Sequence, residues 1–149
     1  MNDLQGLKAR AREAVDDDAA ALRGLSRRLY EHPETAWQEE ESARAVGDLL
    51  AAHGFAVESG YLGLPTALRA VAGSGPFRVG LMAEYDALPG LGHACGHNLI
   101  SAMSVGAGLA LARVADAAGL TVEVYGTPAE EGGGGKVELL DRGAFAHLD

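Results

Sequence analysis

Phe77–Ala83 (FRVGLMA) is an almost unbroken apolar run that ends directly in Glu84-Tyr85-Asp86. Such a run predicts a strand buried inside a layered domain. Thr121–Tyr125 repeats the arrangement, ending just before Glu130-Glu131. In open α/β sheets, ligands gather beyond the carboxyl ends of strands. If the two strands run side by side, Asp86, Cys95, His97, Glu130 and Glu131 converge on one cleft.

The remaining pattern fits an α/β layered domain. Leu4, Leu7, Ala11, Val15, Leu22, Leu25 and Leu29 recur at helical spacing, predicting an amphipathic helix over Asp3–Tyr30. Asp16-Asp17-Asp18 reads as its solvated face. His32-Pro33-Glu34 ends that helix, because a residue before proline is pushed out of the helical region. A second helix is predicted over Trp37–His53, stopping at Gly54. Strands follow at Ala56–Glu58 and Thr66–Ala72, and the turn Gly73–Pro76 predicts an antiparallel hairpin between Thr66–Ala72 and Phe77–Ala83. Asn98–Ala117 is a helix of small residues, able to pack closely against a sheet. A Gly-rich loop and a short helix over Lys136–Arg142 come after the strand Thr121–Tyr125.

The 149 residues suffice for one core, and 48% are hydrophobic. The net charge of −9 argues against nucleic acid or anionic membrane as a partner through a basic field. The single cysteine leaves no internal disulfide. The first residues lack the apolar stretch of a secretory signal. Asn98–Ala112, the least charged segment, is too short to span a bilayer. These readings point to a soluble, cytoplasmic chain.

Leu81–Ala102 crowds Glu84, Asp86, His93, Cys95 and His97 together, and thiolate, imidazole and carboxylate are the side chains that bind borderline divalent metals. Cys95-Gly96-His97 can face a sulfur and an imidazole the same way, and a coordinating thiol would be deprotonated. A lone Cys-x-His reads sooner as a buried small hydrophobe beside a core histidine. His93, Asp86 and the separate acid pair shift the balance to metal. Adjacent glutamates are usually a solvated pair, but Glu130 and Glu131 sit behind Pro128 and before Gly132–Gly135. One can ligate a metal while the other holds a water, supplying the Lewis acid and general base that amide hydrolysis needs. EEGGGGKV is not a phosphate loop, since Glu130 stands where the first glycine is required and Val137 where Ser or Thr is. An alternative enzyme reading makes Cys95 a nucleophile activated by His93 or His97.

AEYDALPGLGHACGHNL (Ala83–Leu99), GTPAEEGGGGK (Gly126–Lys136) and HPETAWQE (His32–Glu39) resemble the aminoacylase-type metallopeptidases, metallopeptidase family twenty. Within it they are closest to the amidohydrolase and dipeptidase branch that includes the aminobenzoyl-glutamate hydrolases. The resemblance implies helices layered on a mixed, mainly parallel sheet, as in zinc peptidases. It implies a hydrolase of amide bonds in N-acyl amino acids or dipeptides, with metal-bound water as nucleophile. By the same resemblance Cys95, His97 and Glu131 are metal ligands, and Asp86 orients and tunes a ligand. Glu130 is then the general base. The cofactor implied is a pair of zinc ions in the full-length protein, with manganese or cobalt as alternatives, and the parent is implied to be a homodimer. Relatives continue into a lid and dimerisation domain and a last segment with further histidine ligands. Residues 1–149 are therefore expected to be the N-terminal part of a catalytic domain. Alone, they are expected to form an inactive fragment or a binding module. Glu84 stands where many relatives carry a ligand histidine, and neither it nor His93 receives a role.

Overall fold

β3 (Phe77–Glu84) and β4 (Leu120–Thr127) lie side by side and parallel, in a register that sets Phe77 opposite Leu120 and Glu84 opposite Thr127. The condition for a shared cleft is met: both strands end at the same rim. This computed structural model describes residues 3–149. The chain opens with helices α1 (Leu4–Asp17), α2 (Ala19–Glu31) and α3 (Glu40–Ala52). Strands β1 (Ala56–Ser59) and β2 (Leu68–Gly73) follow. Helix α4 (His97–Ala112) and the single turn α5 (Ala115–Ala118) connect β3 to β4, and α6 (Gly135–Asp141) comes last.

The sheet order is β1-β2-β4-β3. It is mixed, as expected, but its parallel part is confined to the β3–β4 pair. β2 runs antiparallel to both β1 and β4, so the mainly parallel sheet is not what these residues build. Nor does β2 form a hairpin with β3. β4 inserts between them because the turn after β2 bonds to the start of β4. Gly75 N–H donates to Leu120 O at 3.0 Å, Phe77 N–H to Gly119 O at 3.3 Å, and Thr121 Oγ1 to Gly75 O at 2.7 Å.

The long first helix is two helices. Asp18, at φ −91° and ψ 3°, closes α1 and precedes α2. Its carboxylate meets His53 Nε2 at 3.0 Å, so Asp18 anchors the end of α3, whereas Asp16 and Asp17 are exposed as expected. His32 ends α2 at φ −128° and ψ 65°, outside the helical region, as the following proline requires. The next helix begins at Glu40 and not at Trp37, because Trp37 takes a positive φ of 65°. Instead, Glu34 Oε2 accepts from Ser42 N–H and Ser42 Oγ, both at 2.7 Å, capping α3 with a carboxylate.

One face of the sheet is covered by α2, α3 and α4, which bury Leu29, Leu50 and Val105 against Val122 and Val124. Each such side chain contributes about 1.5–3 kcal/mol when fully buried. Gly108 lets α4 approach the sheet closely, since a Cβ there would overlap Val124. The opposite face buries Tyr125 with Tyr61, Leu139 and Ala144. Among the described residues no helix is long and apolar enough to cross a membrane.

Candidate metal centre

Past the end of β3 the chain is stitched to the His32–Glu39 segment: Thr35 bridges to Ala87, and Ala87 N–H donates to Glu34 O at 2.8 Å. It then turns tightly, Leu88 N–H bonding Gly92 O at 3.0 Å, and enters α4 at His97. His97 is 4% exposed and its Nδ1 lies 2.8 Å from the carbonyl oxygen of Asp86 and 3.1 Å from Asp86 Oδ1. The carbonyl acceptor, with the carboxylate beside it, places the ring proton on Nδ1. The Nε2 lone pair is then directed the other way.

On that side stand the two glutamates. Glu130 Oε2 is 3.6 Å and Glu131 Oε1 3.7 Å from His97 Nε2. These separations exceed hydrogen-bond length. They match donors sharing one ion: ligand bonds of 2.0–2.2 Å in a tetrahedron put donor atoms about 3.4 Å apart. His97, Glu130 and Glu131 each offer an atom within 4.8 Å of the others. An imidazole and two carboxylates suit zinc, manganese or cobalt. The donor set fits a divalent cation.

Asp86, 1% exposed, holds both halves of this arrangement. Its backbone carbonyl accepts from His97 Nδ1 on one side, with Oδ1 close by at 3.1 Å, and its Oδ2 accepts Glu131 N–H at 2.8 Å on the other. A carbonyl acceptor behind a histidine, with a carboxylate beside it, fixes the tautomer and raises the basicity of the free nitrogen.

Cys95 is exposed and stands outside that three-residue cluster. Its thiol is hydrogen-bonded to Glu131, which raises its pKa above the ordinary value, and the charges of Glu131, Glu130 and Asp86 push the same way. This environment is the reverse of the electropositive one that activates a nucleophilic cysteine. Glu84 is engaged elsewhere, in an ion pair with Lys136 at the start of α6. His93 is 7% exposed, and burial followed by the charge of His97 lowers its pKa.

Glu39, to which the sequence pattern assigns no role, is fully buried and accepts Ala129 N–H at 2.8 Å. Burial raises its pKa, against hydrogen bonds from its own backbone, Ala129, Thr66 and Trp37. The one sequence signal is its place in HPETAWQE, a polar stretch around a proline turn.

An α/β domain with an imidazole and two carboxylates at the ends of adjacent parallel strands has the form of a metallopeptidase catalytic core. No protein-family model matches the sequence. It is 44% identical to mouse Xaa-Arg dipeptidase over 99% of this chain, and 32% identical to one of the subunits of Escherichia coli p-aminobenzoyl-glutamate hydrolase over 92%. A dinuclear metal-binding family-twenty peptidase of Bacillus subtilis superimposes with a TM-score of 0.76 at 26% identity, covering 87% of this chain and 40% of that one. Over nearly its whole length the chain is thus similar to a dipeptidase, to an amidohydrolase subunit and to a peptidase of metallopeptidase family twenty. It spans 37% of the length of the mouse relative and 32% of the bacterial one.

Proposed function

We propose that residues 1–149 are the N-terminal part of the catalytic domain of a divalent-metal-dependent hydrolase acting on amide bonds in N-acyl amino acids or dipeptides. The observation that supports it is the bare Nε2 of His97 facing Glu130 and Glu131 at 3.6 and 3.7 Å, with Nδ1 tied to Asp86. Relatives named for dipeptide and aminobenzoyl-glutamate hydrolysis point to the same bond type.

In this reading His97 and Glu131 hold the cation, and Cys95 joins them as a further ligand. A bound divalent cation supplies Lewis acidity toward the scissile carbonyl and lowers the pKa of water. Glu130 Oε takes a proton from the attacking water and passes it to the leaving amine, so it ends the cycle ionised again. Asp86 keeps His97 in the Nδ1–H tautomer throughout. Two zinc ions, or manganese or cobalt in their place, belong to the full-length protein, which we place in the cytoplasm as a homodimer. The lid and the remaining histidine ligands lie outside these residues.

Elemental analysis of the full-length protein, together with hydrolysis assays on N-acyl amino acids and dipeptides, tests this reading. We expect stoichiometric metal and chelator-sensitive release of the amine. A metal-free, inactive protein would overturn it. The isolated chain is expected to bind metal weakly without turnover, since His97, Glu131 and Cys95 fall short of two complete coordination spheres.

A further inference from the structure

The acid pair is suspended between two buried carboxylates, and only one of them, Asp86, is legible in the sequence as part of the site. The other is Glu39. Its Oε1 accepts Ala129 N–H at 2.8 Å across 90 positions of sequence. Ala129 is fully buried, holds a positive φ of 55° and immediately precedes Glu130. A left-handed conformation costs a residue with a Cβ about 1–2 kcal/mol and persists only where its surroundings impose it. Here the bond from Glu39 is one such imposition. A second comes from Trp37, itself at φ 65°: its indole lies where a Cβ on Gly133 would overlap it, and that Cβ would also crowd Ala129. Ala129 O in turn accepts Gly133 N–H at 3.1 Å, closing the loop on itself. Two residues further on, Glu131 N–H is held by Asp86 at 2.8 Å. Glu130 therefore lies between two anchored amides, one on each buried acid.

We infer that Glu39 is a positioning residue of the metal centre: its bond to the Ala129 amide sets the backbone from which Glu130 and Glu131 reach toward His97. This rests on the metal-centre reading above. Glu39 touches neither substrate nor metal, and its action is through Ala129. The property required of it is an acceptor at the Oε1 position. A glutamine retains that acceptor, and a leucine of similar size does not. An aspartate keeps the charge but withdraws the acceptor by one methylene.

The test is titration of the purified chain with cobalt(II) alone, following binding and the visible absorption spectrum at a temperature where circular dichroism shows each variant folded. Glu39→Gln should bind cobalt with the affinity and spectrum of the unaltered chain. Glu39→Leu should bind at least about tenfold more weakly, with an altered spectrum, as for other supporting residues behind metal ligands. If Glu39→Leu does not fold, Glu39→Asp should show the same loss. Unchanged affinity and spectrum in whichever of these two folds would overturn the inference. Equal losses in Glu39→Gln and Glu39→Leu would also overturn it, because the acceptor would then not be what matters. Glu131→Ala separates the two claims. If the unaltered chain binds no cobalt, or Glu131→Ala binds it as well as the unaltered chain, the metal-centre reading itself fails.

Discussion

Glu123 and Asp86 are both buried acids on or beside the central sheet, 0% and 1% exposed, yet their surroundings are opposite. Glu123 is met by Arg69 at 2.7 Å, Arg78 at 2.8 Å, the Tyr125 hydroxyl at 2.6 Å and His147 at 3.0 Å. Burial pushes its pKa up, but the hydrogen bonds from Arg69, Tyr125 and His147 prevail and bring it down to about 2. Asp86 stands in a group with Glu130 and Glu131, and among the described residues no lysine or arginine pairs with any of the three. Charge is closed within the chain at the first site and left open at the second. A buried anion supplied with its own cations is a structural element; an anionic cluster around one imidazole, with no lysine or arginine paired to it among the described residues, suits a cation from outside.

The sharpest break between the two sites should come from removing one carboxylate charge at each. Glu130→Gln in the full-length protein should retain metal by elemental analysis and lose turnover by about 10²–10⁴-fold, the usual worth of a general base. Loss of metal instead would exchange the roles of Glu130 and Glu131. Glu123→Gln should leave cobalt affinity alone and act on stability. The folded-state pKa of Glu123 lies below its ordinary 4.5, so its contribution is complete above that value and lost as pH falls toward about 2. The shift corresponds to roughly 2–3 kcal/mol, with Arg69 and Arg78 partly exposed and able to rehydrate. Thermal melting at neutral pH should drop by about 4–8 °C, and acid unfolding between pH 4.5 and 2 should lose part of its steepness. A melting temperature that does not move would show that the arginines, once unpaired, cost nothing. The smallest effect belongs to Cys95→Ala, which should lower metal occupancy of the full-length protein less than Glu131→Ala does. Occupancy unaffected by the change would remove Cys95 from the ligand set.

The parts of the centre that sequence makes legible are those encoded locally. Apolar runs mark β3 and β4, the chemistry that follows each run marks the rim, and Cys95-Gly96-His97 announces itself within three residues. What escapes depends on partners distant in sequence. β4 inserts between β2 and β3 through bonds to the Gly73–Pro76 turn, which local turn chemistry reads as a hairpin. Asp18 looks like one of three solvated acids until His53 arrives from the end of α3. Trp37 at a positive φ runs against its own propensity, so periodicity carries the helix back to it. Glu39 has no meaning without Ala129, far along the chain. Glu84 can be classified only once Lys136 is seen to neutralise it.

The insertion of β4 also dictates an order of assembly. Of the three pairings in the sheet, only β1–β2 joins segments adjacent in sequence; both others need residues 120–127. During synthesis the first hundred or so residues can form helices and one hairpin, while β3 waits unpaired, its apolar face uncovered. Closure of the sheet is therefore a late, long-range event, the kind that slows folding and leaves an intermediate prone to association. The same event brings Glu130 and Glu131 to His97. The candidate metal centre and the last step of folding are completed together.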